Sequence, residues 1–183
     1  MLKLQKGMAG FFMHVFITAL VIFLVWRSGN YKQWRKYHTT MWFFAGANLT
    51  YYVLCANYFL WEIHADFSAG YSLQIMLYTF IVYPGSLLLF LANYPGSIQG
   101  KIFHNVKWIG IYTGTEYIYY LLGLITFNYG WHLGWSLLFL CIMFPMLRLH
   151  HTKPLLTYVL SILITLILLW IFNVPVEIPI EER

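Results

Sequence analysis

Charge is what this chain has least of. Only 9% of its 183 residues are Asp, Glu, Lys or Arg, against about 25% in an ordinary soluble domain. Acids are rarest, with six in all, and three of those fall in the last seven residues. A water-soluble domain with 61% hydrophobic residues would lack the polar surface that keeps it dispersed. Two cysteines, Cys55 and Cys141, lie far apart in apolar stretches, which excludes a disulfide framework, a C-x-x-C pair and a cysteine zinc site. There is no G-x-S-x-G, H-E-x-x-H or Walker pattern, so serine hydrolase, zincin and nucleotide hydrolase readings have no footing. No nucleic-acid motif or aromatic-basic surface accompanies the net charge of +5.

Long apolar runs and aromatic residues fill the space. Eight Trp and fifteen Tyr suit the boundary between lipid and water, since each joins an apolar ring to a polar tip. A membrane-crossing helix needs about 20 mainly apolar residues. On that rule the sequence predicts an all-α, polytopic membrane helix bundle of six transmembrane helices, at about 7–26, 39–61, 73–92, 108–126, 133–147 and 155–172, in a single membrane domain spanning 1–183. Residues 173–183, VPVEIPIEER with its leading Asn, form an acidic extracellular tail, expected to be extended or disordered. Lys3 and Lys6 precede the first run, yet that run is long for a signal peptide and no small-residue cleavage pattern follows it, so it is read as a retained helix.

The loops alternate in charge. The first, third and fifth hold Arg27, Lys32, Arg35, Lys36, Lys101, Lys107, Arg148 and Lys153, whereas the second and fourth hold no Lys or Arg. Basic loops stay in the cytoplasm, so both termini are expected outside. The tetrapeptide YPGS at 83–86 and again at 94–97 is a chance match, and no inverted repeat is visible.

Glu116 is the acid set well inside an apolar helix, about 12–14 Å in from the cytoplasmic start of the fourth helix at the helical rise. A carboxyl at that depth is costly unless a partner, water or a proton relieves it. At 100° per residue Tyr112, Glu116, Tyr119 and Gly123 share one face, which places tyrosine hydroxyls beside the carboxyl. Two readings stand: a proton-handling or substrate-binding group, and a buried acid that locks helices together. On the second helix Asn48, Tyr52, Cys55, Phe59 and Glu62 form another stripe, with packing glue the simpler reading. Glu62, His64, Asp66 and His132 gather at the outer boundary without a recognised ligand spacing, so neither metal nor other cofactor is expected. His150 and His151 read as a solvated pair in a basic turn. His14 stands alone in the first helix, which argues against a bis-His haem. Pro84 and Pro145 fall inside helices and are expected to kink them.

The stretches NYKQWRKY, NYFLWE, VYPGSLLLFLANYP and TEYIYYLLGLITFNYGWHLGWSLLFLCIMFPMLRLHHTKPLL resemble a family of small, uncharacterised polytopic membrane proteins of Bacillus-like and clostridial bacteria. The resemblance covers the chain from about Trp34 to the sixth helix. It implies a bacterial plasma-membrane location, and it implies no activity. A local similarity joins LCANYFLWEI, 54–63, to the Asn-x-x-x-Trp-Glu neighbourhood of integral-membrane terpene cyclases. That similarity implies an acid role for Glu62, with Glu116 standing in for a second acid absent from the sixth helix.

The expected function is that of a multi-pass membrane protein, either a small transporter or an accessory subunit of a membrane complex. The alternative is an intramembrane enzyme acting on an isoprenoid or lipid. Expected partners are the bilayer, a lipid or isoprenoid ligand and, at most, further copies in an oligomer, with no nucleic acid. The candidate functional polar residues are Glu116, Tyr112, Tyr119, Asn48, Tyr52 and Glu62.

Overall fold

The computed structural model describes residues 2–64 and 70–183, with side chains over 10–64 and 71–183; Asp66 and Ser68 lie outside the described residues. The fold is all-α, 77% helical. Helix α1 spans Leu2–Arg27 and α2 spans Trp34–Leu54. A short strand β1, Trp61–Ile63, precedes α3, which runs unbroken over 70–92 as Gly70–Leu77, a π-helical stretch Tyr78–Val82, and Tyr83–Ala92. Helix α4 is Ile98–Leu121, β2 is Ile125–Phe127, α5 is Leu133–Thr152 and α6 is Pro154–Ile171.

Four helices are long and apolar enough to cross a membrane by length and composition: α1 over Gly10–Arg27, α3 over Tyr71–Ala92, α5 and α6. The other two begin in charged turns, with Arg35 and Lys36 opening α2 and Lys101 and Lys107 on the first half of α4.

Helices α2, α4 and α5 differ from the sequence expectation at their ends. Helix α2 stops at Leu54 rather than 61, because Asn57 adopts a left-handed conformation, φ 59°, and turns the chain back. The Tyr51 hydroxyl then fixes the return: it donates to the Trp61 carbonyl at 2.6 Å and accepts the Trp61 N–H at 2.9 Å. Cys55, Phe59 and Glu62 therefore do not extend the stripe of Asn48 and Tyr52. Helix α4 starts ten residues before the expected 108, where Ser97 accepts the Gly100 N–H as an N-cap. It ends at Gly123, φ +69°, with the Leu124 N–H bonded to the Tyr119 carbonyl at 2.8 Å. That six-to-one bond is a Schellman close, so Gly123 terminates the helix instead of extending the face of Glu116. Helix α5 continues to Thr152 and takes Arg148, His150 and His151 with it.

The turn after α2 and the turn after α4 meet in an antiparallel ladder that the sequence did not announce. Trp61 lies opposite Phe127, Glu62 opposite Thr126 and Ile63 opposite Ile125. The ladder closes one end of the bundle; the basic loops lie at the other. Helix α3 packs against α1 and α2, and α5 packs against α2, α4 and α6. A Cβ on Gly85 would stand 2.6 Å from Val21 Cγ1, so α1 and α3 approach only because that position is glycine. The π-helical turn lies immediately ahead of Pro84 and absorbs the missing N–H and ring clash within an unbroken helix. Near the basic loops Tyr37, Leu87, Phe90, Leu91, Phe144 and Leu147 belong to one buried apolar cluster.

Helix α6 buries only Thr157 fully, while Leu155, Val159, Ile162, Leu166 and Trp170 stand exposed. The segment after it folds back over the ladder end instead of extending away. Arg183 donates to the carbonyls of Leu54 at 2.8 Å, Ile178 at 2.7 Å and Val176 at 3.1 Å. Asn57 holds the Ile180 carbonyl at 2.7 Å.

Candidate functional site

All six helices contribute to one cavity of about 470 Å³, within the range of about 300–1,000 Å³ usual for small-molecule sites. Its walls are almost wholly apolar. From α6 come Ser161, Ile164, Thr165, Leu168 and Leu169, a stripe at helical spacing opposite that helix's exposed face. Leu20 and Leu24 of α1 and Ile111 of α4 also line the cavity, yet they are 36%, 41% and 47% exposed. Ala47 and Thr50 of α2 and Phe139 and Ile142 of α5 line it and are exposed as well, so the cavity opens sideways to the outside of the bundle.

Polar groups collect toward the ladder end. Glu116 lies five residues before the end of α4, about 7.5 Å along the axis, and about 27 Å from its basic-side start, farther along the helix than the expected 12–14 Å. The shift follows from the earlier start and stop of α4. Its Oε1 accepts the Ser136 hydroxyl at 2.6 Å, and Ser136 Oγ in turn accepts the Trp131 Nε1–H at 2.9 Å. The indole has only a donor to offer, so the serine proton is directed at the carboxyl and the chain runs one way, Trp131 to Ser136 to Glu116. Among the described residues no protein group bonds Oε2, and no ion pair forms with Glu116.

Tyr112 and Tyr119 do not serve Glu116, contrary to the expectation from their shared face. The Tyr112 hydroxyl bonds Ser86 on α3. The Tyr119 hydroxyl bonds that of Tyr78, which also lies 3.0 Å from His14 Nδ1; His14 Nε2 donates to the His64 carbonyl at 3.1 Å. Tyr78 sits in the π-helical turn, and that extra residue per turn places its ring between α1 and α4. Asn48 donates to Thr79 at 2.8 Å, tying α2 to the same turn. Glu116, Tyr112, Tyr119 and Asn48 therefore share the cavity wall. Tyr52 and Glu62 do not; they lie near one another and near Tyr71 at the rim.

Among the described residues no three His, Cys, Asp or Glu side chains converge. His64 Nε2 bonds Thr126, and His132 Nδ1 caps α5 by accepting the Gly134 N–H; each imidazole has separate structural work. Asp66 lies outside the described residues. His150 is not solvated: it is buried against Thr40 at 3.0 Å and stacked on Phe43 with centroids 4.1 Å apart, because the helix continues through it. Cys55 is buried and Cys141 exposed, both as free thiols.

Sequence reasoning missed Tyr78 and Ser136, and took His14 only as a lone histidine with no part in a site. A usable signal existed for His14, a polar residue with Thr18 one turn on in an otherwise apolar run. Ser136 carried none, since the rotation of α5 against α4 is not written in either helix alone. No family model, curated protein or solved structure matches the chain.

Proposed function

We propose that the chain is a multi-pass protein of a bacterial plasma membrane, with six spans and both ends outside, that binds one amphiphilic molecule, a lipid or isoprenoid in size, with its polar end at Glu116. Support for the membrane placement comes from α6, whose outward face is apolar along its length with a single fully buried residue. In water that face would be untenable, and in a bilayer it is ordinary. Eight of the eleven Lys and Arg residues fall toward one end, which supports cytoplasmic loops there. Helix α2, less apolar, packs against α3 and α5, while α4 packs mainly against α5 and turns Ile102, Phe103 and Val106 outward, a face suited to lipid.

The observation that carries the ligand reading is the cavity itself: apolar along its length, open sideways, and polar where Trp131, Ser136 and Glu116 meet. A molecule dissolved in the membrane can enter such a site without leaving it. Transport, or service as a binding subunit of a membrane complex, needs nothing more. An enzyme acting on an isoprenoid is the second reading, favoured by the chain that runs from Tyr119 and Tyr78 on that wall to His14 behind it, three groups that can pass a proton.

The test is organic extraction and mass spectrometry of protein purified in mild detergent. One amphiphile near stoichiometric with the chain, and lost from Thr165→Trp, which fills the cavity from α6, is the expected result. An empty wild-type protein, or a ligand indifferent to that substitution, would remove the proposal.

A further inference from the structure

The charge pattern of the cavity wall selects among amphiphiles. Among the described residues Glu116 is its only acid, and no Lys, Arg or His side chain lines it. Arg183, near enough to Cys55 at the rim to act on its thiol, directs its guanidinium at the carbonyls of Leu54, Val176 and Ile178. Glu116 therefore has hydrogen-bonding support from Ser136 but no cation of its own among the described residues.

We infer that the ligand class is a lipophilic cation: an apolar body that fills the cavity and bears one positively charged nitrogen, which pairs with Glu116. This rests on the reading of the cavity as an amphiphile site and narrows it. Three pieces of chemistry converge. A carboxylate in apolar surroundings gains most from an opposite charge supplied from outside, because there is little water to compete. Electron-rich ring faces attract cations, and Tyr51, Trp61, Tyr83, Tyr112 and Trp131 are all in the wall, Trp131 being one hydroxyl removed from the carboxyl. An anionic head, a phosphate or a diphosphate, would meet a lone acid with no basic residue to receive it, which works against that class.

The test varies the head and keeps the tail. Farnesylamine, farnesol and farnesyl phosphate are titrated by equilibrium dialysis onto the full chain in phosphatidylcholine nanodiscs, with protein-free nanodiscs subtracted. The expected order is farnesylamine at least tenfold tighter than farnesol, with farnesyl phosphate weakest. In Glu116→Gln, whose helicity and elution volume are checked against wild type, farnesylamine should fall to the level of farnesol. The wild-type series stands without that variant, should it fail to fold. Equal binding of amine and alcohol, or phosphate at least as tight as amine, overturns the cation assignment while leaving the cavity an amphiphile site. An amine advantage that survives intact in folded Glu116→Gln overturns the role of the carboxyl. No farnesyl compound bound above protein-free nanodiscs removes both readings together.

Discussion

Ser136 places its hydroxyl 2.6 Å from Oε1 of Glu116 and joins α5 to α4 where the cavity turns polar. The bond is made by the first turn of one helix and the penultimate turn of another, so it also fixes their register. Serine does two jobs there, since its oxygen is the acceptor for the buried Trp131 indole.

Ser136→Ala should consequently leave Trp131 Nε1 without an acceptor and cost about 1–3 kcal/mol. Thermal unfolding followed by fluorescence-detected size exclusion would register this as a lowered midpoint. Glu116→Gln keeps the shape and an acceptor oxygen; it should stay folded and at normal abundance while losing ligand binding. Wild-type binding in that variant would leave Glu116 as packing.

The glycine at the α1–α3 crossing gives a test of the packing. Gly85→Ala should destabilise by about 1–3 kcal/mol, the usual range for overpacking, because its Cβ meets Val21 Cγ1. Val21→Ala in the same chain should recover most of the loss. Additive effects in that double mutant, measured by the same unfolding midpoint, would contradict the close approach.

How much of this could be read from the sequence differs from element to element. Hydropathy located all six helices, since apolar runs such as 155–172 stand out from the charged and polar turns between them. It misplaced the end of α2 because Cys55–Ile63 is apolar whether it forms a helix or, as found, a turn at Asn57 and a strand at Trp61. Lys101 and Lys107 drew the third loop too long, since charge was taken as loop, whereas the Ser97 cap ahead of Ile98 was the better signal. Glu116 was legible as an outlier of composition. Its partner was not, because helical periodicity gives faces and leaves their facing neighbours undetermined. The same limit hid the burial of His150.

The contact of His14 with Tyr78 and Tyr119 ties α1 to α3 and α4. Tyr78→Phe and His14→Ala should therefore be coupled. A double-mutant cycle on unfolding should return roughly 0.6–1.7 kcal/mol, the range for polar contacts between membrane helices. A coupling of zero would mean the two side chains act independently.

Orientation is open to a labelling experiment in intact cells. With Cys55 and Cys141 replaced, an impermeant maleimide should label single cysteines placed at Ser68 or Glu181 and should spare those at Gln33 and Gln99. The reverse pattern would invert the proposed topology and leave the helix count untouched.

The most direct measurement is the reaction of Glu116 with a membrane-soluble carbodiimide, mapped by peptide mass spectrometry. If the cavity is the ligand site, modification falls on Glu116, and saturating farnesylamine reduces it several-fold while Glu181 is unaffected. Modification of Glu116 that is unchanged by any amphiphile, or reaction at Glu62 with Glu116 untouched, would contradict a ligand site built on Glu116.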